Sequence, residues 1–137
     1  MNTTAPLNDF LCVTTEFDVP RPWRTHYRSL LRLRKALLRK HDEHSAQISS
    51  AHEPGGNDQV DVANEENELA ISLAELAAED SALAEIEAAL LRLKNGTYGF
   101  CEETGEPISA TRLRVIPWTR FSRAAAARRE EVSRKVR

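Results

Sequence analysis

Aromatic side chains make up only 6% of this 137-residue chain, and cysteine occurs twice, at Cys12 and Cys101. Few aromatics beside abundant Leu and Ala weigh against a β-sandwich or barrel and favour helices. Two cysteines in unlike surroundings give no disulfide framework. No apolar run approaches the roughly 20 residues of a membrane span, and the first turns of sequence lack the basic and apolar blocks of a signal peptide. The reading is a cytoplasmic soluble protein. P-loop, nucleophile-elbow and H-E-x-x-H patterns are also missing, so an enzyme is not expected. The length fits one domain, or one domain plus tails.

What the chain does have is charge, sorted by region. The net charge of -2 conceals a basic stretch, an acidic stretch and a second basic stretch. Eight basic residues lie between Arg21 and His44, against Asp42 and Glu43. Nine acids follow between Asp61 and Lys94, against Arg92 and Lys94. From Arg120 to the end the balance is seven basic residues against Glu130 and Glu131. A basic helix followed by an acidic one suits antiparallel pairing, with opposite charges facing along the seam. Each exposed pair contributes only about 0.2–1 kcal/mol, so the pattern selects the partner helix more than it stabilises it.

The periodicity agrees. Val62, Leu69, Leu76, Leu83 and Leu90 recur every seven residues and mark a coiled-coil helix, read as the seam with the first helix. The companion row is apolar only at Ile86 and Leu93, with Ser72 and Glu79 in its first half. Asn95-Gly96 ends this helix, and Ser49 to Asn57, rich in Ser, Gly and Pro, breaks the one before it. The expected fold is therefore all-α dominated, an antiparallel coiled-coil hairpin with a small base and a C-terminal helix. Residues 1–20 read as a flexible tail, 21–95 as the hairpin with its tip at 54–63, 96–118 as the base and 119–137 as the C-terminal helix.

At the tip, Asp58-Gln59-Val60-Asp61-Val62-Ala63 follow Pro54-Gly55-Gly56-Asn57 and open the long helix. Asp58 is a natural N-cap, and Asp61 favours the positive end of the helix. An acidic tip on a helical arm also has the reach to act on charge at the bottom of a narrow channel. The histidines, His26, His41, His44 and His52, read as surface or seam residues. His41 and His44 lie one turn apart but have no evident third metal ligand. Cys101, beside Glu102 and Glu103, has no basic neighbour in sequence to lower its pKa and reads as a packing residue.

The tip Asp58-x-x-Asp61-x-Ala63, the heptad helix and the run Gly96-Thr97-Tyr98-Gly99-Phe100-Cys101-Glu102-Glu103-Thr104-Gly105-Glu106-Pro107-Ile108 with Arg112-Leu113 and Pro117 together resemble the DksA/TraR family of bacterial RNA polymerase regulators, over roughly residues 22–137. The resemblance implies a polymerase partner reached through the secondary channel, with Asp58, Asp61 and Ala63 acting near the active site. It also implies anchoring on polymerase by Arg112, Arg114, Arg120 and Arg123, no sequence-specific DNA or membrane binding, and a monomer. The alternative is a structural or adaptor coiled coil that keeps the fold without acting on polymerase.

Two departures from the family pattern bear on cofactors. The family's zinc module uses two C-x-x-C pairs, and an ungapped count places its four ligands at Cys101, Thr104, Ser122 and Ala125. Thr, Ser and Ala do not supply the S or N ligands of a structural zinc site. The expectation is a degenerate zinc-finger-like base without structural zinc, held by Phe100, Ile108, Leu113, Ile116, Trp118 and Phe121. The family's site for the alarmone ppGpp falls on Glu85, Ile116 and Ala126, where the Glu repels phosphate. On that count ppGpp dependence is doubtful.

Overall fold

The computed structural model describes residues 19–50 and 59–137, with Gln59 and Val60 described by backbone alone. Pro20 and Pro22 preset a 3-10 turn over Arg21–Trp23, which leads directly into helix α1, Arg24–Ser50. Helix α2 runs from Gln59–Asn95, a short α3 from Ala110–Val115, and α4 from Arg123–Val136. Among the described residues no helix is long and apolar enough to cross a membrane.

The charge pattern is realised as pairs across the hairpin. Arg34 faces Glu87 at 3.6 Å, Lys40 faces Glu79 at 3.7 Å, and His41 faces Asp80 at 2.8 Å. Numbers rise along α1 as they fall along α2, so the helices are antiparallel. The two are unequal in length: 37 residues in α2 extend about 55 Å, and 27 in α1 about 40 Å. Gln47 and Ile48, in the last turn of α1, already face Leu69 and Ser72. The first turns of α2 therefore project past the end of α1.

The heptad row shows the consequence. Leu83 is buried, and Leu76 and Leu90 are half-buried, but Leu69 is 37% and Val62 42% exposed. The row is an intramolecular seam only in its base-proximal part. Toward the tip its apolar residues lack that cover.

Packing concentrates where the hairpin meets the base. Leu30 of α1 and Ile86, Ala89 and Leu93 of α2 form one cluster with Tyr98, Cys101, Ile108, Leu113 and Ala125. Trp23 stands edge-on to Tyr98, ring centroids 5.1 Å apart. Gly96, at φ +77, turns the chain so that the Thr97 and Tyr98 amides both donate to the Arg92 carbonyl. A single bridge between Phe100 and Pro107 then folds the base back on itself. Ser109 caps α3 by accepting from the Arg112 amide, and Ser122 caps α4 by accepting from Ala125. These caps explain why the base holds a short helix the sequence reading did not anticipate, and why α4 starts later than Thr119. Phe100, expected in the core, is 48% exposed, and Tyr98 and Cys101 fill the interior instead.

The Tyr98 hydroxyl donates to the Pro117 carbonyl at 2.7 Å. Burial raises the phenol to about 12, against a smaller opposing pull from Arg92. An unfolded phenol ionises near 10, so this tyrosine stabilises the base fully below that pH and loses its contribution as pH climbs toward 12. Tyr98→Phe is expected to cost about 1–3 kcal/mol at neutral pH, because it orphans a buried carbonyl. It should also flatten the alkaline fall in Tm. A Tm series from pH 8 to 12 on both proteins checks both points.

Candidate functional site

Asp61 and Ala63 sit in the first two turns of α2, at the far end of the arm from the base, and both are exposed. Asp58 lies outside the described residues. Among the described residues Asp61, Glu65, Glu66, Glu68 and Glu75 have no cationic partner, whereas Glu79, Asp80, Glu85 and Glu87 all do. Among the described residues, negative charge is thus compensated near the base and left uncompensated toward the arm end. Asp61 lies in the first turn of α2, beside the positive end of the helix dipole.

Midway along the arm the seam is polar. Glu79 is 6% exposed and lies 2.8 Å from His44 Nδ1, close enough for an ion pair but not aligned for a hydrogen bond. Lys40, on the surface, approaches the same oxygen at 3.7 Å. His41 and His44 are each taken up by an acid on α2 and do not share a ligand set. A buried carboxylate with incomplete hydrogen bonding costs stability that an apolar residue would not. Glu79→Leu, which extends the companion row, is expected to stabilise the hairpin by about 1 kcal/mol, since Lys40 is exposed to water and His44 Nδ1 has no hydrogen bond to lose. A Tm a few degrees above wild type would show it, and an unchanged or lower Tm would refute it.

Where arm meets base, two arginines and two glutamates interlock. Arg120 Nε donates to Glu85 Oε2 at 2.7 Å and its Nη2 to Oε1 at 3.2 Å, a bidentate pair. That hydrogen bonding raises the Arg120 pKa above its ordinary value. Arg120 also lies 3.5 Å from Glu102, which Arg92 approaches at 3.8 Å. Arg92 Nη2 donates to the Trp118 and Thr119 carbonyls at 3.0 and 3.4 Å. Burial, with the nearby Arg120 charge, lowers the Arg92 pKa. Of the four arginines expected to anchor on a partner, Arg120 is therefore engaged internally, as is Arg112, whose Nε donates to the Phe121 carbonyl at 2.9 Å. Arg114 and Arg123 are exposed and have no ion-pair partner among the described residues. Of the positions aligned with the ppGpp site, Glu85 holds Arg120, while Ile116 and Ala126 are half-buried.

In the base, Cys101 is buried. Burial opposes ionisation of its thiol. Hydrogen bonds from the Thr104 hydroxyl and from the Ser122, Thr104 and Glu103 amides outweigh that and bring the pKa down to about 6. The sequence sets no cation beside this cysteine, and none is needed: a nest of amides does the work of a charge. The fold thus draws Cys101, Thr104 and Ser122 together, with Ala125 fully buried one turn into α4.

This arrangement has counterparts. The chain is 33% identical over 105 residues to the RNA polymerase-binding transcription factor DksA of Caulobacter vibrioides, covering 77% of this chain and 73% of that protein. The chain belongs to the DksA/TraR family. Its fold resembles the structure of transcription factor DksA2 from Pseudomonas aeruginosa, with a TM-score of 0.72 at 30% identity over 84% of this chain and 93% of that one. General stress protein 16O of Bacillus subtilis is 44% identical over 45 residues, 33% of this chain and 28% of that protein. Residues 96–131 match the family described as prokaryotic dksA/traR C4-type zinc finger.

That last match corrects the expectation that the base dispenses with structural zinc. The segment is built on a zinc-finger template, and a structural zinc is what the match points to. The ungapped count that led to the expectation weighed ligand identity alone and not the whole segment. The donors in place do not fit a four-sulfur site: one thiol, two hydroxyl side chains and an alanine occupy the four positions. No group of three or more His, Cys, Asp or Glu able to hold a metal occurs among the described residues.

The sequence reading missed Glu79, Arg92 and Glu102. Glu79 was visible as the polar break in the companion row. Arg92 and Glu102 carried no signal, because their partners lie on segments joined only in the folded base.

Proposed function

We propose that this chain is a transcription regulator that binds RNA polymerase, inserts its arm into the secondary channel and acts there through the acidic arm end. The observation that carries the reading is the uncompensated Asp61 at the exposed start of a helix that outreaches its partner, in a chain whose relative is a polymerase-binding DksA. Asp58 and Asp61 bring negative charge toward the active site and alter the lifetime of initiation complexes without chemistry of their own. Ala63 keeps the same end narrow. Arg114 and Arg123, exposed and unpaired, dock the base on the outer surface of polymerase, while Arg112 and Arg120 hold the base in shape. DNA is not read.

In vitro transcription with cognate polymerase on a ribosomal RNA promoter tests this. Asp61→Asn is isosteric and is expected to bind polymerase as wild type does while losing most of the effect on transcription. Full retention of the effect at equal binding overturns the role of the tip. No effect from folded wild-type protein favours the adaptor reading.

A further inference from the structure

The arm end holds a groove of about 320 Å³ lined by Gln47, Ile48, Val62, Glu65, Leu69 and Ser72, with Glu66 and Glu68 on its acidic margin. Val62 and Leu69 belong to the seam row yet are half-exposed, and Leu73, 49% exposed, extends their line by one more turn. Such a groove calls for an apolar ridge flanked by positive charge. Among the described residues, α4 presents such a surface. Only Ala125 of α4 is buried, and Val132 and Val136, one turn apart on a single face, are 62% and 82% exposed. Arg128, Arg129, Arg134 and Lys135 flank them, in surface pairs with Glu103, Glu130 and Glu131 that exchange readily, and Arg129 also stacks 4.3 Å over the Phe121 ring. A chain's own α4 does not reach its own arm end, because the roughly 34 residues of helix from Asp61 to Asn95 separate them by about 50 Å.

We propose that the acidic groove at the arm end receives α4 of a second copy of this chain. Used twice about a two-fold axis, the contact closes into a pair with antiparallel arms, each arm end sheathed by the other's α4. One helix in one groove lies at the small, transient end of interface sizes, and its charge makes it salt-sensitive. The single chain is then the active form and the pair a resting form that withholds the arm. The association stands on the two surfaces; only this consequence rests on the polymerase reading above.

Sedimentation velocity on the full chain, without polymerase, tests the association separately from that reading. At 50 mM salt the sedimentation coefficient is expected to rise with concentration through the micromolar range, and at 500 mM salt the association should weaken at least tenfold. Glu65→Lys/Glu66→Lys should stay monomeric, and so should Arg134→Glu/Lys135→Glu. All four residues are exposed, so folding is spared. Mixed together, the two variants should associate again, since each contact in the mixed pair joins opposite charges. Wild-type protein that is monomeric up to several hundred micromolar at low salt overturns the proposal. So does a dimer that neither charge reversal weakens, or a mixture that fails to associate.

Discussion

Gly99→Ala is expected to destabilise the base by about 2–5 kcal/mol, while Gly105→Ala, with a similar backbone, costs only about 1–2 kcal/mol. Both glycines have positive φ, +88 and +73, where an L side chain is strained. They differ in surroundings. A Cβ on Gly99 would lie 2.8 Å from Cη2 and Cζ2 of Trp23, whereas one on Gly105 meets nothing within 4 Å. Trp23 has little freedom to retreat. It stands edge-on to Tyr98 and to His26, with centroids 5.1 and 5.5 Å away. The 3-10 turn before α1 fixes its backbone, with the Trp23 amide donating to the Pro20 carbonyl at 2.9 Å. A shift of the indole would also loosen Tyr98 from its bond to Pro117. Urea unfolding followed by tryptophan fluorescence measures the pair of variants. Equal losses would show that the backbone alone matters and that the Trp23 contact does not.

This close approach marks a boundary in what the sequence reveals. The hairpin was legible because its determinants repeat: a seven-residue row and a change of charge sign along the chain suffice to pair α1 with α2. The limit of the seam was not. Nothing in Val62 or Leu69 distinguishes them from Leu83, yet they are half-exposed where Leu83 is buried. The base was recognisable as a motif but not as a packing. Phe100 reads as core and faces water, while Tyr98 and Gly99, which sit where the chain folds back under Trp23, matter because of a contact some seventy-five positions away in sequence. The Cys101 environment was hidden for a similar reason. Sequence neighbours suggest an ordinary thiol, but three backbone amides and a hydroxyl converge on it in the fold. The acidic tip was visible as a motif; that Asp61 has no cationic partner among the described residues, while Glu79, Asp80, Glu85 and Glu87 have theirs, was not. Zinc was judged from single positions, and the whole-segment match corrects that judgement.

Arg92→Ala is expected to cost about 3–5 kcal/mol and to loosen the base from the arm before the arm itself melts. Arg92 is 8% exposed, and its Nη2 serves two carbonyls, those of Trp118 and Thr119, that no other described side chain reaches. Removing it orphans both and leaves Glu102 with Arg120 alone, which must then serve Glu85 and Glu102 together. Burial lowers the Arg92 pKa, so part of its interaction energy is spent on desolvation. The loss on truncation is still large because it falls on the groups left behind. Arg92→Lys should recover little: one ammonium carries charge but lacks the planar fork that spans two carbonyls while facing a carboxylate. Near-UV circular dichroism should therefore lose the Trp118 and Tyr98 signature at lower temperature in both variants, with far-UV helicity persisting longer. In transcription assays the same variants should weaken polymerase binding, whereas Asp61→Asn should not, because an arm uncoupled from its base still has its acidic end but no longer a fixed direction. Full rescue by lysine would mean that charge alone holds the junction, and a simultaneous loss of near-UV and far-UV signals would mean that arm and base melt as one unit.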